Sequence, residues 1–260
     1  MPKLGIRFKN EEHFEALRES GKRLEEVMRR VEKMIVPGAS TELLDKIAEK
    51  AIQELGGETV FKGYGKEYGN PFPASICVSI NDEVVHGIPR KERLLREGDL
   101  VKVDMGLRFR GMITDMARTF GVGTLSEDSK RLLWVTEESL LRGIATVRHG
   151  SKLSEYGSAV ERFVESHGFS VVRDLVGHGV GFLLHEPPQI PNFSFPSSQN
   201  LLFQNGMAVA LEPMINAGSS AVRLAKDGWT FVTEDHARSA HFEDTVLLSE
   251  HGVETVTRTS

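Results

Sequence analysis

The sequence has very little cysteine, no long apolar run and no dominant sign of charge. Cys77 is the single cysteine among 260 residues, which excludes a disulfide within the chain. No apolar stretch reaches the length of a membrane span, and no hydrophobic signal-peptide region follows Met1. The net charge of -5 gives no overall attraction for nucleic acid or an anionic membrane. We therefore expect a cytoplasmic protein in a reducing compartment, with no nucleic-acid specificity and no membrane association.

Helix and strand patterns alternate along the chain. Apolar residues at helical spacing predict helices over residues 11–35, 41–55, 126–147 and 153–166. Strand-like segments lie at 75–80, 100–120, 169–176, 207–211 and 244–248. The segment 187–198 is rich in proline and serine, and it is predicted to be a long loop beside the proposed site. This order predicts amphipathic helices packed on sheets.

An internal similarity bears on the number of domains, which the length alone leaves at one large or two small. REGDLVKVDM (96–105) aligns with QNGMAVALEP (204–213), so that Asp104 matches Glu212. Upstream, residues 37–57 follow the pattern of residues 149–169 at a similar offset. Two related halves, roughly 11–123 and 126–250, would bring ligands from both copies to one central axis. Chance similarity between amphipathic segments is the alternative.

Five potential metal ligands lie at the ends of apolar runs or beside glycine. They are Asp104, Asp115, His178, Glu212 and Glu243. Four carboxylates and one imidazole, without a thiolate, form a hard set that suits Mn, Fe(II) or Co(II) better than a structural zinc. Bare carboxylates in such apolar surroundings would be costly to bury without cations, and four of them match the charge of two divalent ions. The leading hypothesis is a two-metal hydrolase.

The first two acids can be placed by a hairpin argument. If 100–108 and 111–120 pair around a turn at Phe109–Arg110, positions that sum to 219 face each other, and Asp104 opposes Asp115. Side chains opposed in this way would suit a pair of ions about 3.5 to 4 Å apart. The alternative is two solvated acids in a turn, although their apolar flanks argue against it.

The chain contains the motifs NDEVVHGIP, GHGVG followed by LHEPPQI, LEPM and DGW. These motifs resemble those of the type I methionine aminopeptidases of the M24 metallopeptidase family, and the similarity extends over nearly the whole chain, from the first helix to Gly252. The resemblance implies an α+β pita-bread fold, with two pseudo-symmetric halves and an antiparallel sheet covered by helices, in a single catalytic domain over 1–260. It also implies removal of the initiator methionine from nascent proteins when the second residue is small. The chain is similar to the short bacterial form without an N-terminal extension.

The same resemblance assigns roles to the five ligands. Asp115 and Glu243 would bridge two divalent ions, His178 and Glu212 would bind one ion, and Asp104 would chelate the other. The nucleophile would be a water activated by the metals, and Glu212 would carry its proton to the leaving amine. Fe(II), Co(II) and Mn(II) are the expected ions, and Ni and Zn remain open.

Two histidines match substrate-contacting positions of the family. His185 would face the scissile carbonyl and its developing oxyanion, and His86 would face the nitrogen side of the bond. A lone histidine is more often a surface or core residue, but here each lies within a matching motif. The remaining histidines are expected to be structural or solvated: His13, His149, His167, His236, His241 and His251.

The methionine pocket departs from the family pattern. Relatives usually carry a cysteine and tyrosines ahead of the SICVSIN-like strand and an aromatic residue at the position of Leu184. Here Cys77, Phe72 and Trp229 are the expected pocket walls, because thioethers make favourable contacts with aromatic rings. Tyr64 and Tyr68 are candidates whose role the sequence leaves open.

Expected partners are peptide and nascent-protein N-termini, with the ribosome as a candidate partner and a monomer as the expected state. One alternative is an Xaa-Pro dipeptidase, which shares the fold and metal set but usually has an additional N-terminal domain. Another is a metal-free binding protein with the same fold, although such relatives have lost ligands that this chain keeps. A structural domain without activity would not place these residues in family order.

Overall fold

The computed structural model describes residues 5–195 and 201–258. Its first half begins with two helices, α1 (Glu11–Glu32) and α2 (Thr41–Glu54). The strands that follow are β1 (Glu58–Thr59), β2 (Cys77–Ile80), β3 (Glu83–Val85), β4 (Leu100–Phe109) and β5 (Met112–Gly121). A single 3-10 turn, Lys66–Tyr68, lies between β1 and β2.

The second half has the same order of helices followed by strands. Its helices are α3 (Glu127–Ile144) and α4 (Leu153–Ser166). Its strands are β6 (Ser170–Val171), β7 (Gly177–Gly179), β8 (Glu186–Ile190), β9 (Ala208–Leu211), β10 (Met214–Asn216), β11 (Val222–Leu224), β12 (Phe231–Thr233), β13 (Ser239–His241), β14 (Asp244–Ser249) and β15 (Gly252–Thr255). The predicted helices are therefore all present: α4 has the predicted bounds, and the ends of the others match the prediction or lie up to three residues inside it.

Local signals explain where the helices begin and which face they bury. The side chains of Asn10, Ser40 and Ser126 accept hydrogen bonds from the first turns of α1, α2 and α3, so backbone N–H groups that lack helical partners are satisfied. In α1, Leu17 and Leu24 are seven residues apart, two turns along one face, and both are fully buried. This face packs on β4 and β5.

All strand pairings in the described residues are antiparallel. In the first main sheet, β4 pairs with β5 along one edge and with both β1 and β2 along the other edge. The second has the order β15-β14-β9-β7-β8. A bridge between Ala117 of β5 and Glu243, the residue before β14, joins the two sheets. Two smaller sheets, β13-β10-β6 and β11-β12-β3, lie beside them.

The predicted β4–β5 hairpin is present, but its predicted register is wrong by two residues. The turn lies at Arg110–Gly111, and paired positions sum to 221, so that Asp104 faces Ala117 and Asp115 faces Gly106. Both turn residues have positive φ, 49° and 79°, which favours glycine at the second position. A shift of two residues keeps side chains on the same face, so Asp104 and Asp115 are diagonal neighbours.

The predicted loop over 187–198 is partly a strand. Residues 187–190 belong to β8, which pairs with β7 at the edge of the second main sheet, where prolines cost no hydrogen bond in the sheet. Residues 196–198 lie outside the described residues. The strand predicted over 169–176 is also shorter than expected and is limited to β6. None of the described helices is long and apolar enough to cross a membrane.

Candidate metal centre and active site

The five predicted ligands converge where the two main sheets meet. Asp104 lies on β4, Asp115 on β5 and His178 on β7, whereas Glu212 directly follows β9 and Glu243 directly precedes β14. The bridge at Glu243 brings the second sheet against β5. The hydroxyl of Thr245 accepts a hydrogen bond from the N–H of Asp115 at 2.9 Å and donates one to its carbonyl, which fixes the two sheets at this point. Side chains from distant parts of the sequence thus share one buried volume.

The carboxylates in this volume are nearly cut off from water. Asp115 and Glu243 are buried, and Asp104 is almost so. Burial raises the pKa of Asp115 to about 7. It raises the pKa of Glu212 and Glu243 as well, and repulsion from neighbouring acids adds to the effect. Four acids so placed cannot all ionise near neutral pH without compensating positive charge.

His178 is oriented by its own backbone. Its Nδ1 lies 2.9 Å from the carbonyl oxygen of Gly179, so Nδ1–H donates and the lone pair is on Nε2. Nε2 lies 3.3 Å from Oε1 of Glu212. Because burial lowers the pKa of His178 to about 3, the imidazole is neutral. Two lone pairs at this distance require either a proton on Glu212 or a cation between them.

Unpaired buried atoms provide a direct test of whether divalent ions fit. Among the described residues, Oδ1 of Asp104, Oδ1 of Asp115 and Oε1 of Glu243 have no hydrogen-bond partner. Ligand atoms of Asp115, His178 and Glu243 all lie within 4.8 Å of one another. Orphaned carboxylate oxygens in a dry volume are what a hard divalent cation would satisfy, so the donor set fits the predicted chemistry.

His241 was predicted to be structural or solvated, and its position in the structure argues for a different role. It lies on β13 with an exposed fraction of 1%, and its Nε2 is 3.6 Å from Oε2 of Glu212. Neither ring nitrogen has a hydrogen-bond partner among the described residues. Ligand atoms of Glu212, His241 and Glu243 form a second group within 4.8 Å. The sequence carried a usable signal, because side chains two residues apart in an extended segment share a face.

A cavity of about 80 Å³ adjoins the acids. The predicted walls Cys77, Phe72 and Trp229 all line it, and the rings of Phe72 and Trp229 meet edge to face at 5.2 Å. The other residues along its walls are Phe61, Tyr64, Leu184, His86, His185 and the five predicted ligands. Tyr68 does not line the cavity, and its exposed fraction is 83%.

His86 and His185 lie where this cavity meets a larger groove of about 740 Å³. His86, His178, His185 and Glu212 line both spaces, so a molecule that extends from one into the other would pass these residues. His86 has a φ of 59°, a conformation that non-glycine residues adopt rarely and that occurs often at functional sites. Burial lowers its pKa to about 4. The Nδ1 of His185 contacts the hydroxyl of Tyr64 at 2.6 Å.

The remaining predicted features of the site are the glycines beside His178 and the other histidines. Glycines 177 and 179 are required by close packing, because an added Cβ would lie 2.5 Å from the carbonyl oxygen of Ala210 and 2.4 Å from that of Pro187. The histidines His13, His149, His167, His236 and His251 do not line the cavity or the groove. His13 instead completes the N-terminal cap of α1.

Comparison with known proteins gives matches over nearly the whole chain. The model of metallopeptidase family M24 matches residues 15–250. Methionine aminopeptidase 1 from Bacillus subtilis is 45% identical over 242 residues, which cover 93% of this chain and 95% of that protein. The crystal structure of a methionine aminopeptidase from Thermotoga maritima has a TM-score of 0.92 and 40% identity, and covers 98% of this chain and 100% of that one.

A prolidase from Pyrococcus furiosus is more distant, with a TM-score of 0.76 and 20% identity, and covers 97% of this chain and 66% of that one. At this identity it shows the fold alone. The predicted α+β pita-bread fold is therefore confirmed by both structural matches. Because a family model covers most of the chain and a 45% identical relative matches it nearly end to end, the chain belongs to metallopeptidase family M24 and, within it, to the methionine aminopeptidases.

Proposed function

We propose that the protein is a metal-dependent aminopeptidase that removes the initiator methionine from nascent proteins when the second residue is small. The observation that carries this proposal is one buried volume in which unpaired carboxylates adjoin a narrow cavity with aromatic walls. The acids supply the place for the reaction, and the cavity supplies the place for one unbranched side chain. The names and similarity of the relatives support the same activity.

The proposed metal site holds two divalent ions, with Fe(II), Co(II) and Mn(II) as the candidates. Asp115 and Glu243 are proposed to bridge the ions, His178 and Glu212 to bind one of them, and Asp104 to bind the other. Four carboxylates and two divalent cations balance in charge, which would remove the repulsion that raises the pKa values of the acids. Glu243 belongs to both groups of ligand atoms that lie within 4.8 Å of one another.

The ions would supply Lewis acidity that polarises the scissile carbonyl and makes water acidic enough to react near neutral pH. The protein side chains would transfer the proton and contact the substrate. The carboxylate of Glu212 would take the proton of the attacking water and deliver it to the leaving amine. His185 would donate a hydrogen bond to the carbonyl oxygen as negative charge develops there, and His86 would contact the nitrogen side of the bond.

Selectivity would arise on both sides of the bond. The cavity walls Phe72 and Trp229 offer aromatic contacts to a thioether, and the buried Cys77 lines the same cavity. The acidic cluster favours a free α-amine over an acetylated one. Beyond the bond, His86 and His185 line both the cavity and the groove, so a large second residue would crowd them and a small one would be favoured.

We also propose that residues 1–260 form one catalytic domain built from two related halves, roughly 11–123 and 126–250. The site draws Asp104 and Asp115 from the first half and the other ligands from the second. A cytoplasmic monomer that acts on peptide and nascent-protein N-termini, with the ribosome as a candidate partner, is part of the same proposal.

Peptide hydrolysis by the purified protein tests the proposed function. With Mn, Fe(II) or Co(II) added, we expect methionine release from Met-Ala-Ser but not from Met-Lys-Ser or acetyl-Met-Ala-Ser, and no cleavage of Ala-Pro. Chelation and Asp104→Ala should abolish both metal binding and activity, whereas Glu127→Ala, at an exposed acid, should change neither. Equal cleavage of Met-Ala-Ser and Met-Lys-Ser would contradict the proposed selectivity. Cleavage of Ala-Pro alone would instead identify a dipeptidase, and full turnover without metal would exclude the metal site.

A further inference from the structure

Tyr64 makes a direct contact with one of the two histidines proposed to act on substrate. Its hydroxyl oxygen lies 2.6 Å from Nδ1 of His185, and the two rings meet edge to face with centroids 5.2 Å apart. Among the described residues, the hydroxyl of Tyr64 is the hydrogen-bond partner of Nδ1 of His185. The contact joins a loop of the first half of the chain to the segment between β7 and β8.

The backbone around Tyr64 holds the side chain in this place. The N–H of Gly63 donates to the carbonyl of Phe72 at 2.8 Å, and the N–H of Phe72 donates to the carbonyl of Tyr64 at 2.8 Å, so the loop is closed at its base. Gly63 and Gly65 both have positive φ, 87° and 78°, which lets the chain turn sharply on either side of Tyr64. An added Cβ on Gly65 would lie 3.0 Å from the ring of Trp229, so the loop also rests on a wall of the cavity.

The direction of this hydrogen bond follows from the chemistry of its two groups. A phenol keeps its hydrogen near neutral pH, because its ordinary pKa is about 10. A separation of 2.6 Å lies within the usual range for an O–H donor, about 2.5 to 3.0 Å, and below the usual range for N–H···O, about 2.7 to 3.2 Å. The phenol is therefore the donor and Nδ1 the acceptor.

A neutral imidazole has one N–H and one lone pair, so an acceptor at Nδ1 fixes the hydrogen on Nε2. We propose that Tyr64 is a positioning residue that donates to Nδ1 of His185 and so presents Nε2–H of that ring to the carbonyl oxygen of the substrate. This role rests on the proposed function, in which His185 stabilises the developing oxyanion. An imidazole with its lone pair toward that oxygen would repel it, so the orientation and tautomer of the ring both matter.

Tautomer measurement tests the proposal without any turnover. In ¹⁵N-histidine-labelled protein, with His185 assigned by comparison with His185→Ala, we expect the ring nitrogens to report Nε2–H in the wild type. In Tyr64→Phe the Nδ1 signal should shift, because its hydrogen-bond donor is lost while the aromatic ring remains. A wild-type His185 that carries its hydrogen on Nδ1 would overturn the proposal.

Kinetics provide the second readout. Tyr64→Phe should lower kcat about tenfold for release of methionine from Met-Ala-Ser while KM changes little, because the loss falls on the transition state. Tyr68→Phe is the matched control: it lies in the same loop, its exposed fraction is 83%, and its removal of a hydroxyl should leave kcat unchanged. In a His185→Ala background, Tyr64→Phe should cause no further loss.

An equal further loss in that background would show that Tyr64 acts independently of His185, and the proposal would be wrong. An increase in KM without a change in kcat would make Tyr64 a pocket wall only and would also overturn it. If the wild-type protein released no methionine with any metal, the proposed function would fail, whereas the tautomer measurement would still decide the hydrogen bond between Tyr64 and His185.

Discussion

At the scale of single residues, the buried charged groups fall into two classes. Asp244 is fully buried, but Arg118 and Arg258 pair with it at 2.6 and 3.1 Å, so the protein itself balances that charge. Asp104 and Glu243 are also largely shielded from water, and among the described residues each keeps an oxygen without a hydrogen-bond partner. Since Glu243 and Asp244 are adjacent in sequence, the same short segment holds one acid of each class. The unbalanced class coincides with the proposed metal site.

The contact between His241 and Glu212 gives a prediction about metal affinity. His241→Leu removes the nitrogen that lies 3.6 Å from Oε2 of Glu212, and such supporting groups typically change metal affinity 10- to 100-fold. We therefore expect weaker Mn(II) binding by calorimetry, by about that factor. His241→Gln keeps a polar nitrogen near the same place and should recover most of the affinity. Unchanged affinity in His241→Leu, with the fold intact by circular dichroism, would show that His241 is only a core residue.

At the scale of secondary structure, strand geometry decides where each ligand points. The candidate ligand His178 lies on β7 between two glycines that allow close approach of neighbouring backbone, and its partner in β9 is Ala210. The pairing of β4 with β5 determines that Asp104 and Asp115 share a face, although they are not directly opposed. A strand that moved by one residue would turn its ligand away from the site.

Gly177→Ala tests this dependence. The new Cβ would lie 2.5 Å from the carbonyl oxygen of Ala210, a backbone atom that cannot move alone, so we expect a loss of about 1 to 3 kcal/mol in the free energy of unfolding and weaker metal binding. Gly121→Ala is the matched control on β5, because the three atoms nearest its Cβ all belong to the side chain of Leu125 and none is backbone. Denaturant unfolding of both variants measures the two changes in the free energy of unfolding. Equal stability of Gly177→Ala and the wild type would mean that β7 tolerates displacement and that the glycine is not needed for packing.

At the scale of the whole molecule, the site lies between the two main sheets. Its buried acids lower the free energy of unfolding when no cation is bound. Burial raises the pKa of Asp115 to about 7, whereas the same group in an unfolded chain ionises near 3.9. Between about pH 4 and 7 the folded metal-free protein holds protons that the unfolded chain has released. Its free energy of unfolding therefore falls, through this group, as the pH rises across that window.

Metal ions should reverse that loss, so their stabilising effect should grow with pH. At a fixed Mn(II) concentration, we expect the rise in Tm on adding metal to be small near pH 5 and several degrees larger near pH 8, because protons no longer compete for the carboxylates. Thermal unfolding with and without chelator measures the rise in Tm. In Asp115→Asn, the rise at pH 8 should exceed the rise at pH 5 by less than in the wild type. A rise in Tm that is the same at pH 5 and pH 8 would show that the raised pKa values are not linked to metal binding.

The sequence by itself determined the four helices, the strands β2, β4, β5, β6, β9 and β14, the five candidate ligands and the class of chemistry. The helix ends could be predicted from the sequence because capping residues such as Ser40 and the spacing of apolar residues involve only residues close together in the chain. Ligands were readable because acids at the ends of apolar runs conflict with burial unless something compensates them, and because the motifs resemble one family.

Only the tertiary structure decided how these parts meet. The register of β4 and β5 depended on which two residues form the turn, and positive φ at Arg110 and Gly111 moved it by two positions. The approach of His241 to Glu212 and of Tyr64 to His185 joins segments 29 and 121 residues apart, so no local pattern contains either contact. Such contacts arise from the packing of segments that are far apart in the sequence, which is set by many buried residues together and not by any one of them.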